Sequence, residues 1–275
     1  MNEKHMFSCN DVKRFDTEEL REAYLINELF EKNTIKTVYS YSDRMIIGGV
    51  YPEKSLDLKE VTPANQSFFL EKREMGIINI GGAGCVIVNG NEYNLESMDG
   101  LYIGKGEHTV EFTSKDSNCL AKFYFISTLA NISFPTTMIY RKDVIKLELG
   151  SNKEANERIL YKYIHPEGVK SCHLVMGFTQ LLEGSVWNSI PPHIHERRSE
   201  VYFYFNIPQT DLVFHFMGPE DQTRHIVVKN EEAIISPYWS IHSGVGTKNY
   251  SFIWAMSGEN QDFSDARSIE LINLK

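Results

Sequence analysis

The sequence predicts an all-β protein, a sandwich or barrel of many short strands. Three observations carry that expectation. Apolar stretches are short and punctuated by turn residues such as Gly48-Gly49, Gly81-Gly82, Gly100 and Gly104-Lys105-Gly106, a spacing that suits strands and their turns. Phe (16) and Tyr (14) gather in runs such as Val201-Tyr202-Phe203-Tyr204-Phe205, and these residue types favour strands over helices. Asn89-Gly90 follows the apolar run Val86-Ile87-Val88. Both residues tolerate the positive φ of a tight two-residue turn, so a hairpin is expected there.

Taken in order, residues 10–32 come first. Leu20, Tyr24, Leu25, Leu29 and Phe30 recur at helical spacing among charges, which reads as one amphipathic helix, with Thr17-Glu18-Glu19-Leu20 at its start. From Thr37 onward the pattern is of strands and turns. The polar segment from Thr136 to Leu160, after Pro135, reads as a connection between two halves, 1–150 and 151–275. Beyond it, strands are expected at 172–182, 200–206, 211–217, 224–228, 233–236 and 250–256. An internal repeat relates Asp99–His108 to Glu232–His242: an acidic turn, a short apolar strand, a Gly or Pro turn, then a polar site.

Composition excludes some functions. The net charge is −9, so no global basic field attracts nucleic acid or an anionic membrane surface. An anionic ligand would have to be held by a few local cations. No window reaches the ~18 apolar residues of a membrane-spanning helix, and the first twenty residues contain no apolar signal-peptide core. Cys9, Cys85, Cys119 and Cys172 form no C-x-x-C pair. They read as free thiols in a reducing cytoplasm, each a small buried apolar residue.

Chemistry concentrates in Pro191-Pro192-His193-Ile194-His195-Glu196-Arg197-Arg198-Ser199-Glu200. Two histidines two apart on a strand point to one face. After a turn, Glu200, Tyr202 and Tyr204 share one face of the next strand, and Val201, Phe203 and Phe205 the other. His242 follows a Pro237-Tyr238-Trp239-Ser240 turn. Three imidazoles and a carboxylate suit a borderline divalent ion such as zinc, manganese, iron, nickel or cobalt. Arg197, Arg198, Lys105 and Lys162 are candidates to hold a substrate carboxylate, with Arg224 and Lys248 near the same segments. Arginine can grip a carboxylate with two parallel hydrogen bonds. Glu200 and Glu259 are candidate proton-transfer groups. His108, Trp187 and Trp239 read as structural or surface residues.

The pattern H-x-H-x4-E followed by P-x4-H resembles the two metal motifs of the cupin superfamily. Longer stretches narrow the resemblance: Phe69–Gly84, Leu101–Gly106, His195–Asn206 and Ser236–Lys248 are similar to the 5-keto-4-deoxyuronate isomerase (4-deoxy-L-threo-5-hexosulose-uronate ketol-isomerase) family, over about Leu20 to Phe263. The resemblance implies two cupin domains, one zinc ion per chain on His193, His195, Glu200 and His242, and a homo-hexamer. It also implies ketol isomerisation of a small sugar acid from pectin breakdown. The first half lacks H-x-H, and no metal is expected there. The competing expectations are another cupin metalloenzyme, a dioxygenase or sugar-phosphate isomerase, and a non-catalytic sugar-binding or storage cupin.

Overall fold

The structure is a computed structural model that describes residues 2–259, 261 and 265–275. Phe263, where the family resemblance ends, lies outside them. The chain opens with β1 (Asn2–Lys4), α1 (Cys9–Val12), α2 (Thr17–Tyr24) and β2 (Leu25–Ile26). The first half continues with β3 (Ile35–Ser40), β4 (Ile46–Val50), β5 (Leu56–Asp57), β6 (Arg73–Asn79), β7 (Gly84–Val88) and β8 (Asn91–Leu95). It ends with β9 (Gly100–Ile103), β10 (Val110–Ser114), β11 (Phe123–Leu129) and β12 (Thr137–Ile139). The second half holds β13 (Ile145–Leu149), β14 (Arg158–Ile164), β15 (Val175–Leu181), β16 (Trp187–His195), β17 (Arg198–Phe205) and β18 (Val213–Met217). It closes with β19 (Arg224–Val228), β20 (Glu232–Ser236), β21 (His242–Gly246), β22 (Ser251–Gly258) and β23 (Ala266–Ser268).

These strands form four sheets. The order β1-β3-β4-β11-β6-β9-β12 faces β5-β10-β7-β8, and β13-β14-β15-β22-β17-β20-β2 faces β19-β18-β21-β16-β23. The run β4-β11-β6-β9 is matched by β15-β22-β17-β20, so the two halves repeat one topology. The repeat seen in sequence falls on β9 and β20. Met75 pairs with Ile103 on β9, and Glu200 pairs with Ser236 on β20. Met75 therefore stands in the first half where Glu200 stands in the second. The first interior is packed with apolar side chains, including Leu70, Met75, Ile77, Val86, Phe112 and Phe125.

Asn89 (φ 49°) and Gly90 (φ 79°) form the expected tight turn between β7 and β8. The single helix expected over 10–32 is instead two short helices and a strand. Asp16 opens a fresh capping box, its side chain accepting from Glu19 N–H while Glu19 accepts from Asp16 N–H. At Leu25 the backbone turns extended and pairs with Ile234 of β20, so a piece of the N-terminal segment completes the second half's sheet. The connection expected over Thr136–Leu160 holds strands as well, β12, β13 and the start of β14. Ile145, Leu147 and Leu149 alternate with Lys146 and Glu148 on edge strand β13, which is exposed on both faces and so has the polarity of a loop. The four cysteines are free, but only Cys85 is buried; Cys119 is exposed, contrary to expectation, in a turn rather than a strand interior.

The two large sheets pack on each other through a shared apolar cluster that includes Ile78, Tyr124, Phe178, Val201 and Phe203, with Tyr124 stacked on Phe203 at 4.3 Å between centroids. Contact is so close that a Cβ on Gly76 would lie 2.6 Å from Ile164 Cδ1. Glu74 locks this contact. Its fully buried carboxylate accepts from the N–H groups of Cys172 (2.7 Å), His173 (2.7 Å) and Leu174 (2.8 Å), and from Tyr102 O–H (2.6 Å). Such charge-assisted bonds are the strong ones, and removing the acceptor would strand buried donors. Glu74→Ala is expected to lower stability by at least ~2 kcal/mol, measured as the shift in the chemical denaturation midpoint at unchanged slope.

Candidate metal centre

Three strands in two facing sheets build the centre. β16 and β21 run antiparallel with His193 directly opposite His242, which brings their side chains together on the inner face. His195, two residues on, joins them. The chain then turns at Glu196-Arg197 and enters β17 in the other sheet. The turn is shorter than the sequence suggested, because pairing resumes at Arg198, opposite Gly258. On β17 alternation divides the strand: Glu200, Tyr202 and Tyr204 face the interior, while Val201, Phe203 and Phe205 join the cluster shared with the first half.

Glu200 Oε2 lies 2.9 Å from His242 Nε2 and 3.5 Å from His195 Nε2. His242 Nε2 and His193 Nε2 are 3.0 Å apart. All four donor atoms fall within 4.8 Å of one another. His195, Glu200 and His242 are at most 4% exposed. Burial, reinforced by the neighbouring His242, pushes His193 down to about 3, so it is a neutral imidazole with a lone pair to give. Burial alone would raise the Glu200 carboxyl, but His242 and His195 hold it below the usual range, as a carboxylate. Its Oε2 is enclosed and has no hydrogen-bond partner. A buried carboxylate oxygen without a hydrogen-bond partner, ringed by three imidazole nitrogens, is the arrangement a divalent cation completes. The residues fit a divalent metal ion.

The ring nitrogens turned away from the centre are braced. His195 Nδ1 lies 2.9 Å from Asp265 Oδ1, to which Arg198 Nη2 also donates at 2.8 Å. With Nδ1–H donating to Asp265, His195 Nε2 is left as the lone-pair donor. His242 Nδ1 lies 3.4 Å from Ser236 Oγ. From the first half, Asp43 accepts from Ser199 N–H at 2.6 Å, which ties the start of β17 across the domain contact. Deeper in the barrel, fully buried His215 meets Tyr204 O–H at 2.7 Å, and burial pushes it down to about 3.

The other residues singled out in sequence are placed as follows. Arg198 is buried beside His195, paired with Asp265. Arg197 and Glu259 are exposed and pair with each other at 3.0 Å. They flank the start of β17 and the end of β22. Lys162 lies in one row with Gly177, Trp254 and Tyr202 across the sheet, hence on the inner face, with Glu167 at 3.9 Å. Lys105 follows β9 in the first half, where its carbonyl accepts from Ser133 O–H at 2.6 Å. His108 sits 3.1 Å from Asn89 Nδ2 in the same half. Arg224 donates to the carbonyls of Val12 and Phe15, Lys248 is exposed, and Trp187 and Trp239 donate to Ser243 Oγ and the Phe7 carbonyl.

Two residues escaped the sequence reading. Asp265 has no motif spacing to the ligands; only the pairing of β23 with β16, His195 opposite Ala266, brings it in. Arg158 shares the inner face of β14 with Lys162, and its charge is felt by Tyr202 and Tyr250. The alternation Arg158-x-Leu160-x-Lys162 was a usable signal, hidden by assigning that stretch to a connection.

Comparison with known proteins places this arrangement. The KduI/IolB family profile matches residues 25–272. A Halalkalibacterium halodurans protein named 4-deoxy-L-threo-5-hexosulose-uronate ketol-isomerase is 50% identical over 276 residues, covering 100% of both chains. A Caldicellulosiruptor bescii protein of the same name is 51% identical over 267 residues, 97% of each chain, and one from Bacillus subtilis is 47% identical over 276 residues, 100% of each. An IolB-like protein from Salmonella typhimurium superposes with a TM-score of 0.69 at 14% identity, over 90% of this chain and 96% of that one; this likeness concerns the fold alone, which is all-β and cupin-like.

Asp265→Asn, which keeps the shape but removes the charge behind His195, is expected to weaken metal binding by ~10–100-fold. Competition with a chromogenic chelator measures it, and unchanged affinity would refute the bracing role.

Proposed function

This chain belongs to the KduI/IolB family, and we propose that it is a zinc-dependent ketol-isomerase. It converts 5-keto-4-deoxyuronate (4-deoxy-L-threo-5-hexosulose uronate) to 2,5-diketo-3-deoxygluconate (3-deoxy-D-glycero-2,5-hexodiulosonate), with one zinc ion per chain. The observation that carries the reading is the four-donor cluster of His193, His195, Glu200 and His242 in a chain half identical to proteins named for that reaction.

The reaction moves a carbonyl from C1 to C2. A proton leaves the carbon beside the carbonyl and a proton returns one carbon along, through an anionic enediolate. His193, His195, Glu200 and His242 would hold a divalent ion, which would supply Lewis-acid stabilisation of the developing negative charge. The chain's own residues do the rest. Glu200, the carboxylate of the cluster, carries the proton between the two carbons, a role worth ~10²–10⁴-fold when well positioned. Lys162 and Arg158, on the inner face of β14, hold the substrate carboxylate. Tyr202, whose hydroxyl lies 3.3 Å from Ser189 Oγ, supplies a polar wall beside His242, 5.4 Å away between ring centroids.

No helix among the described residues is long and apolar enough to cross a membrane. In this reading the enzyme works in the cytoplasm as a homo-oligomer, a hexamer on the family pattern. The exposed Ile145, Leu147 and Leu149 of edge strand β13 support association.

His242→Ala is expected to lose bound metal and at least ~10³-fold of turnover while keeping the β-sheet circular dichroism. With the wild type, NMR in deuterated water should show the diketo product carrying deuterium on its terminal hydroxymethyl carbon, the former C1 of the substrate. Absence of conversion of 5-keto-4-deoxyuronate would end the isomerase reading; conversion without deuterium would point to a hydride shift or to a transferred proton shielded from solvent.

A further inference from the structure

A cavity of about 710 Å³ opens in the first half, among residues of β3, β6 and the turn before β4, a volume within the ~300–1,000 Å³ of small-molecule sites. Its wall includes Arg73, the residue two before Met75. Because Met75 stands where Glu200 stands, Arg73 is the first-half counterpart of Arg198. The two arginines differ in one respect. Arg198 is neutralised by Asp265 at 2.8 Å. Arg73 is 3% exposed, and its Nη2 and Nη1 donate only to the carbonyls of Arg44 (2.8 Å) and Ser127 (3.3 Å). No carboxylate pairs with it among the described residues. A buried cation without a counter-charge is uncommon, because desolvation penalises it unless an anion arrives. Burial indeed pushes the Arg73 guanidinium down to about 10.

The surroundings suit a particular anion. Arg44 and Lys72 also line the cavity, against Glu3 and Glu60, and Glu3 already accepts from Tyr41 O–H at 3.2 Å. Three cations against two carboxylates leave a local excess of one positive charge in a chain of net −9. Tyr39 and Tyr41 meet edge to face at 5.1 Å, and the Arg73 guanidinium sits 5.7 Å from the Tyr39 ring centroid. Thr62 Oγ1 and Gln66 Oε1, on the loop lining the same cavity, are buried without hydrogen-bond partners. Turned toward the cavity they line, these side chains would take the hydroxyls of a ligand set against Tyr39 and the face of Tyr41 not stacked on His5.

We propose that the metal-free half carries a second binding site, for a carboxylated sugar. Arg73 takes the carboxylate, Tyr39 and Tyr41 take the ring, and Thr62 and Gln66 take hydroxyls. The site is independent of the metal centre and of the reaction assigned to it.

The test uses D-galacturonate as probe and D-galactose as its neutral control, titrated by ligand-observed NMR into the full-length His242→Ala chain, whose metal centre is disabled. Saturable binding of galacturonate is expected, with none of galactose, and Arg73→Gln in the same background should weaken it at least ~10-fold, the factor for a lost charge-assisted pair. If Arg73→Gln does not fold, Arg44→Ala combined with Lys72→Ala removes two cations from the cavity wall and must weaken binding comparably. Absence of saturable binding, whether the cavity is empty or covered by another copy, overturns the proposal. So does equal binding of galactose, or binding insensitive to these substitutions.

Discussion

A carboxylate and three imidazoles, withdrawn from water and facing one another with no donor between them, set the terms for the rest of this structure. Desolvating Glu200 costs several kcal/mol unless positive charge meets it, and burial keeps His193 neutral, with a lone pair to offer rather than a proton. The arrangement is stable as a site only if each ring is held from behind. Asp265 and Arg198 do this for His195, and the strand pairing of β16 with β21 does it for His193 and His242. The bracing reaches into the other half of the chain through Asp43 and Ser199.

The duplicated topology makes the cost of this polarity visible. The first barrel spends its interior on apolar packing, with Met75 where the second has Glu200. The second interior is polar at one end, with a run of tyrosines and His215 beneath the four candidate metal ligands. One half contributes an apolar core where the other carries the four-donor cluster. The contact between them, cemented by Tyr124 on Phe203 and by Glu74 gathering three backbone N–H groups, lets the first half support the second.

Much of this was legible in the residues. Period-two alternation on β17 separated Glu200 from Val201 before any coordinates, and H-x-H on a strand placed His193 and His195 on one face. The hairpin at Asn89-Gly90 was legible because its conformation is a local property of those two residues. What was hidden depended on pairing between distant segments. Asp265 reaches His195 only through β23. Leu25 leaves the helical pattern because the edge of β20 offers it a ladder, a tertiary gain that outweighs local helix preference. Exposed β13 looked like a connection because an edge strand with both faces open lacks a buried apolar row. Arg197 was singled out by nearness in sequence to the motif and Glu259 by its place after the last strand; both lie just outside the strands, exposed, and pair with each other.

The central claim is that these four donors hold one metal ion and that turnover depends on it. The direct measurement is to strip the purified protein of metal, titrate zinc back, and follow isomerisation of 5-keto-4-deoxyuronate at each step. Activity should rise from near zero in proportion to bound zinc and level off at about one ion per chain, the stoichiometry of a single four-donor site. Full activity in metal-free protein, or activity indifferent to zinc occupancy of this site, would contradict it.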